Sequence, residues 1–276
     1  MCIADMSLLF IFFIAQKSLF YVSIADTAYV IKCLNLAHGT FETLLISERD
    51  VTSLTACSEN LVAYRTNDGV IRLYETELKT SRALEIDGKV DFPCLSHDGE
   101  WLLFCLENPG LRDDWDVMLY DIHRNTIEQL TDDNDFDSSP SFMFDKETVV
   151  FSRGSLKNAT LYALDVVSKK ISTLVENKKY FDFDPSTSPD NKRIAFSSNR
   201  SGNFDLWVLE KDTKRLERVT EDIGLEGKPI WLSDHEIIYE ANHPDHWSIW
   251  LLNLKSKEKK RLTPKGEKCR YPAVGY

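Results

Sequence analysis

The sequence predicts an all-β fold: a six-bladed β-propeller of four-stranded antiparallel blades, closed by pairing the C-terminal strand with the N-terminal blade. Three observations support this prediction. Four prolines, Pro93, Pro140, Pro185 and Pro229, begin the same residue pattern at intervals of 47, 45 and 44 positions, a spacing typical of propeller blades. Each interval contains four short runs of β-branched and aromatic residues separated by turn residues. The segment YPAVGY, at 271–276, repeats the innermost run alone.

The elements of one unit are clearest between residues 185 and 220, PSTSPDNKRIAFSSNRSGNFDLWVLEKDTKRLERVT. An inner strand that contains the proline is followed by a turn and a buried apolar run. After a loop come an alternating aromatic and aliphatic run and a short strand that ends near threonine. The alternation of side chains with a period of two predicts strands for these runs.

The N-terminal part carries two weaker copies of the unit. The copy at 51–86 has no proline in its inner strand, and the first copy supplies only three strands, SLLFIFFIA, TAYVIKCLNL and FETLLIS. We therefore expect the C-terminal run to complete the first blade, with Leu8–Ala15 as that blade's second strand. Such closure removes open sheet edges. The prediction is a single domain, 1–276, with approximate blades at 271–276 plus 7–48, 49–88, 89–134, 135–179, 180–224 and 225–268.

Composition restricts the partners and the compartment. A net charge of -11 argues against nucleic acid and anionic membranes, because a phosphate-binding surface needs concentrated Lys and Arg. The six cysteines form no C-x-x-C pair, which favours reduced thiols and a cytoplasmic location. The N-terminal apolar run is too short to span a bilayer, and Asp5 stands where a signal peptide would be basic. A periplasmic or secreted location is the alternative if this run is a signal peptide. We expect a monomer.

The motifs SPDN, IAFSSNRSGNFDLWV and RLT together resemble the TolB-like (WD-like) β-propeller repeat. Similar blades occur in TolB, in the propeller of prolyl-oligopeptidase-type peptidases, in tricorn-type proteases and in oligogalacturonate lyases. The resemblance covers about 7–276 and is strongest in 92–276. Lys146, Asn191 and His235 depart from it, because they stand where the family has an Asp-Gly turn. The resemblance to TolB implies a partner that inserts an extended segment into the channel mouth.

Two loop segments, DDNDFDSSP at 132–140 and KKYFDFDPS at 178–186, are predicted to bring aspartates to the channel mouth. Two tryptophans begin third strands close to the same loops. The predicted binding residues are therefore Asp135, Asp137, Asp182, Asp184, Trp115 and Trp247.

A metal site is a further hypothesis. The segment NHPDHW at 242–247 adds imidazoles to the aspartates of the mouth, so Asp137, Asp184, His243 and His246 are candidate ligands. Such a set would suit a divalent cation, Ca, Mg or Mn. The alternative is that the aspartates cap turns and solvate the channel, while the histidines lie on an exposed loop. No cofactor is required by any motif.

The sequence favours a non-catalytic propeller that binds a protein or peptide through its loop face and an acidic central channel. No G-x-S-x-G motif is present, and no residues remain for a hydrolase domain. Two alternatives remain open. One is a metal-dependent oligosaccharide lyase or carbohydrate-binding propeller, and the other is a stand-alone propeller that gates a peptidase in trans. The fold alone does not separate them.

Overall fold

The computed structural model describes residues 17–26, 28–58, 60–111, 114–155, 157–242 and 246–275. These residues form 24 β-strands in five sheets. Within the described ranges no helix is long and apolar enough to cross a membrane. The prediction of an all-β propeller is confirmed for this part of the chain.

Four sheets contain four strands each. The first is β24 (Lys268–Gly275), β1 (Ser18–Ile24), β2 (Tyr29–Asn35) and β3 (Thr40–Ser47). The second is β4 (Val51–Ala56), β5 (Leu61–Thr66), β6 (Ile71–Glu75) and β7 (Thr80–Ala83). The third is β16 (Asp182–Thr187), β17 (Arg193–Ser198), β18 (Asp205–Glu210) and β19 (Leu216–Arg218). The fourth is β20 (Glu226–Ser233), β21 (Glu236–Asn242), β22 (Trp247–Asn253) and β23 (Lys259–Arg261).

The fifth sheet has eight strands and spans two sequence units. The first unit contributes β8 (Val90–Leu95), β9 (Trp101–Glu107), β10 (Trp115–Asp121) and β11 (Thr126–Gln129). The second contributes β12 (Phe136–Phe142), β13 (Thr148–Gly154), β14 (Ala159–Asp165) and β15 (Ile171–Thr173).

The prediction of six separate four-stranded blades is therefore wrong, because the structure has four such blades. The finding that overturns it is a parallel pairing of β10 with β12 at Trp115 and Phe136, which joins two units into one sheet. The Trp115 N–H donates to the carbonyl of Asp135 at 3.2 Å. One unit later the same kind of contact is only an isolated bridge between Ala159 and Phe181. A repeat pattern predicts pairing within a unit, whereas pairing between units depends on how closely neighbouring strands approach.

The two ends of the described chain meet in the first sheet, as predicted. Strand β24 pairs antiparallel with β1, with Leu19 opposite Val274. The position beside β24 belongs to Ser18–Ile24, so the assignment of that strand to residues 7–15 is wrong. Residues 1–16 lie outside the described part of the chain. Strand β1 is buried, and its residues Leu19 to Val22 are at most 1% exposed.

The inner strands of successive units pack side by side around a central channel. In the five that contain proline, the residue before the proline has a positive φ of 48 to 55° and coincides with an irregularity in the strand pairing. These residues are Phe92, Ser139, Asp184, Lys228 and Tyr271. Left-handed backbone at non-glycine residues is uncommon and costs about 1 kcal/mol or more at each site. The surrounding sheet holds it here in five equivalent places.

Two positions that recur in the units have local structural roles. In the turn after the inner strand, Gly99, Lys146 and Asn191 all have a φ between 58 and 73°, so lysine and asparagine adopt the backbone for which glycine is favoured. At the end of a unit, the hydroxyls of Thr131, Thr220 and Thr263 accept an N–H of the third strand at 2.8, 2.8 and 3.1 Å. The recurring threonine thus satisfies a backbone donor that the short last strand leaves unpaired.

Candidate functional site

The central channel forms a pocket with a cavity volume of about 150 Å³. All six inner strands contribute to its lining. The five residues that precede the prolines line it, together with Ser53 of β4. Because each side chain sits on a pairing irregularity, its direction is determined by the sheet and not by a mobile loop.

One side of the channel is polar. The Asp184 carboxylate accepts a hydrogen bond from Ser139 Oγ at 2.9 Å and one from Lys228 Nζ at 3.2 Å. Burial by itself would lower the pKa of Lys228, but the carboxylates of Asp184 and Glu240 raise it above its ordinary value. Lys228 is therefore charged at neutral pH, and the channel holds an ion pair between serine and aromatic neighbours.

The opposite side of the channel is aromatic. Phe92 contacts Phe136 edge to face, with the ring centroids 6.4 Å apart. Burial raises the pKa of Tyr271, so its hydroxyl stays protonated near neutral pH. His97 also lines the cavity and stacks on Phe144 with centroids 3.8 Å apart, and burial lowers the pKa of His97 to about 4. This histidine is consequently a neutral packing residue.

Two of the predicted binding aspartates are buried and held by arginines. Arg200 Nη2 donates to both oxygens of Asp182 at 2.7 Å, and the Asp182 side chain is 0% exposed. Arg153 binds the fully buried Asp137 through Nε at 2.7 Å and Nη2 at 2.8 Å. Burial raises the pKa of Asp137 to about 6 even though Arg153 opposes that shift. Ion pairs therefore occur where the sequence suggested free acidic groups.

A third pair carries an aromatic partner. Arg270 Nη2 donates to Glu240 at 2.6 Å, and its guanidinium lies 4.0 Å from the centroid of the Trp247 ring. Trp247, a predicted binding residue, is partly buried by this contact. A cation over an aromatic face is attracted by the ring quadrupole.

The other predicted residues lie in different environments. Asp135 is exposed in the segment before β12, and Trp115 is 7% exposed with its ring 6.0 Å from that of Phe136. His246 Nε2 is 3.1 Å from Arg261 Nη2. His243 lies outside the described residues. The structure thus places Asp137 and Asp184 in separate ion pairs and His246 beside Arg261 at the outer strand.

One acidic cluster could hold a metal ion. Among the described residues it is the single group of three or more carboxylate, imidazole or thiol ligands whose atoms all lie within 4.8 Å of one another. It consists of Asp116, Asp133 and Asp137, and it shares only Asp137 with the predicted metal ligands.

Two further carboxylates are buried. Asp114 is 2% exposed and neither of its oxygens has a hydrogen-bond partner among the described residues, whereas Glu226 is 1% exposed and lies close to Thr220 and Asp222. Burial and the nearby Asp222 raise the pKa of Glu226 to about 8. The sequence reasoning missed both groups. It also missed four cations. Arg153 and Arg200 could have been found as arginines at the end of a second strand, and Lys228 and Arg270 as cations just before an inner-strand proline.

No protein-family model matches this chain, and no curated protein sequence matches it. Similar solved structures exist, and two of them are described as TolB. The structure of TolB from Acinetobacter baumannii has a TM-score of 0.81 at 18% identity, covering 94% of this chain and 66% of that chain. The putative TolB from Agrobacterium tumefaciens has a TM-score of 0.72 at 13% identity, covering 90% of this chain and 88% of that chain.

A propeller from a Nidogen/Laminin complex has a TM-score of 0.75 at 9% identity, covering 94% of this chain and 98% of that chain. At these identities the similarity shows the fold alone, which resembles a TolB-type β-propeller. The chain spans slightly less than two thirds of the A. baumannii protein.

Proposed function

We propose that this propeller is a non-catalytic binding protein whose channel mouth receives an extended peptide segment of a partner protein. The observation that carries the proposal is the set of five side chains that precede the inner-strand prolines. They share one backbone geometry but comprise two aromatic rings, a hydroxyl, a carboxylate and an ammonium group. Where the fold itself needs a residue, as at the prolines, the units repeat it. A rigid frame that presents different side chains at equivalent positions is suited to recognition.

The size of the channel supports a peptide over an oligosaccharide. A cavity of about 150 Å³ lies below the roughly 300 to 1,000 Å³ of typical small-molecule sites. It can accept one or two side chains or a chain end, while the remainder of a segment lies across the loops. The Asp184 and Lys228 pair offers both a hydrogen-bond acceptor and a cation to such a segment.

The similar structures support a binding role without identifying a partner. One of them is a propeller solved within a complex of nidogen and laminin. Because the identity is low, that complex serves as a precedent for the fold, and this chain's partner has to be found by experiment.

The experiment is selection of a random linear peptide library on the purified protein, followed by affinity measurement of the enriched peptides. We expect Lys228→Ala to weaken those peptides at least about tenfold, because it removes the charged donor of the channel. The matched control is Lys257→Ala. Lys257, in the turn before β23, pairs with Glu217 of β19 at 3.1 Å, a distance close to the 3.2 Å of the channel pair. Peptides that bind both variants with the affinity of the unaltered protein would contradict the proposal.

A further inference from the structure

The junction of the two units in the eight-stranded sheet concentrates acidic side chains on one face. Trp115 of β10 is paired in parallel with Phe136 of β12, so that Asp116 and Asp137 follow them on adjacent strands. Asp116 and Asp137 are 1% and 0% exposed, and Asp133 lies within 4.8 Å of both through its ligand atoms. Three carboxylates therefore meet where the two units join.

Asp114 lies on the same face of the sheet as Asp116 of this cluster. Its carbonyl accepts the Asn108 N–H at 3.0 Å, which extends the pairing of β9 with β10 by one residue. In extended backbone, residues two apart project to the same face, so Asp114 shares a face with Asp116. The Asn108 amide, opposite Asp114, confirms this direction because its Nδ2 donates to Asp116 Oδ2 at 2.7 Å. Neither oxygen of Asp114 has a hydrogen-bond partner among the described residues, although the side chain is 98% buried.

A buried, unpartnered carboxylate beside other carboxylates is unfavourable unless a cation is present. Arg153 is the cation found here, and it contacts Asp133 and Asp137. Its guanidinium is held on the side of Asp133 and Asp137, because it also lies over the rings of Phe151 and Tyr162. Among the described contacts, Arg153 forms no ion pair with Asp114 or Asp116. Among the described residues, four carboxylates face one guanidinium, which leaves a negative excess at the β10 side.

We infer that Asp116, Asp133 and Asp137, with the buried Asp114 adjoining, form a binding site for a divalent cation, namely calcium, between the two fused units. All candidate ligands are oxygens, and calcium accepts six to eight oxygen ligands in irregular geometry. The amides of Asn108 and Gln129, which now donate to Asp116 at 2.7 and 2.8 Å, can offer their carbonyl oxygens after rotation. Gln129 is exposed and Asp133 is partly exposed, which gives the ion a path from solvent.

Magnesium fits the site less well. It requires a nearly octahedral shell at shorter distances and retains water, whereas these ligands come from four separate positions on two strands and a connecting segment. A calcium ion would also hold the β10 and β12 edges together. Binding should therefore stabilise the fold in addition to neutralising charge.

The experiment is titration of the EDTA-treated full chain with calcium chloride, followed by calorimetry and by thermal unfolding. We expect one ion per chain with a Kd on the order of 10⁻⁴ M, because Arg153 already neutralises part of the site. With calcium about 100-fold above Kd, the melting temperature should rise by roughly 5 °C. Absence of binding at millimolar calcium would overturn the inference.

Asp114→Asn is the decisive variant because its two effects have opposite signs. Without calcium it should melt at a higher temperature than the unaltered protein, since it removes an unpaired buried charge. With calcium it should lose at least about tenfold in affinity. If Asp114→Asn binds calcium as the unaltered protein does, the site is not where we place it.

Two other variants complete the test. Arg153→Gln removes the competing cation and should tighten calcium binding about tenfold. Asp205→Asn is the matched control: Asp205 occupies in another blade the third-strand position that corresponds to Asp116, is 0% exposed and is paired with Arg218 at 2.9 Å. Its calcium affinity should stay within about twofold of that of the unaltered protein. If Asp205→Asn and Asp114→Asn lost calcium affinity equally, the effect would be one of general charge, and a localised site would be contradicted. Tighter binding of magnesium than of calcium would contradict the assignment to calcium.

Discussion

Arg200 donates through one nitrogen to both carboxylate oxygens of Asp182, at 2.7 Å each, and the Asp182 side chain is completely buried. Asn177 Nδ2 completes the site at 3.0 Å. The pair joins the start of β16 to the turn that follows β17. Asp182, a predicted acidic binding residue, is therefore part of a buried ion pair.

Removing one member of this pair should destabilise the protein strongly. We expect Arg200→Met to lower the free energy of unfolding by about 3 kcal/mol, because a buried carboxylate is left without its cation. The double variant Arg200→Met with Asp182→Asn should recover a large part of that loss. Urea denaturation measures both. Lys257→Met, in an exposed pair, should change stability by less than about 0.5 kcal/mol and serves as the control. A single variant as stable as the control would refute the argument.

Glu226 predicts a pH dependence of stability. Its folded pKa of about 8 lies above the ordinary value of 4.5, so the folded protein keeps a proton that the unfolded chain releases as the pH rises between these values. Stability from this group is therefore full below about pH 4.5 and is lost as the pH approaches 8.

Glu226→Gln should remove this dependence and stabilise the protein at pH 8 by on the order of 3 kcal/mol relative to the unaltered chain. The measurement is urea unfolding at pH 5, 6, 7 and 8 for both proteins. Asp165→Asn, at the exposed end of β14, is the control and should leave the pH profile between pH 5 and 8 nearly parallel to that of the unaltered chain. A constant difference between Glu226→Gln and the unaltered protein at all four pH values would speak against the assigned pKa.

We expect a steric effect at Gly275, in the strand β24 that closes the ring by pairing with β1. A Cβ atom there would lie 2.8 Å from the carbonyl carbon and oxygen of Ser58, which are backbone atoms of the next blade. We expect Gly275→Ala to lower the free energy of unfolding by about 1 to 3 kcal/mol, because β24 must shift away from Ser58. Gly227→Ala is the matched control in a neighbouring inner strand, where the nearest atoms are 3.8 Å away. Thermal unfolding of the two variants tests this prediction, and equal melting temperatures would contradict the close approach of Gly275 to Ser58.

The recurring threonine predicts a smaller effect. Thr263→Val keeps the shape of the side chain but removes the acceptor for the Ile249 N–H, which it now binds at 3.1 Å. Leaving that buried donor unsatisfied should cost about 1 to 2 kcal/mol. Thr126→Val, on the exposed strand β11, should change stability by less than about 0.5 kcal/mol. Chemical denaturation of the two variants would distinguish them, and similar values would exclude the capping role.

The order of strands within a unit, the turns and the meeting of the two ends of the described chain were all predictable from the sequence, because period-two alternation, proline spacing and turn residues act over a few neighbouring positions. The same local rules led to the prediction, which stays a prediction, that segments 132–140 and 178–186 reach the channel mouth. They could not predict that Trp115 and Phe136 would join two units, or that the closing strand pairs with Ser18–Ile24.

The charge of the mouth was decided by the tertiary structure. Asp137 and Asp182 could be read as free acids until Arg153 and Arg200 were seen to lie against them. The same holds for Asp114, whose burial without a partner has no sequence signal. Ion pairing and burial depend on distances between residues from different strands and blades, and Coulomb energies and desolvation change steeply over a few ångströms. Local patterns carry no such distances.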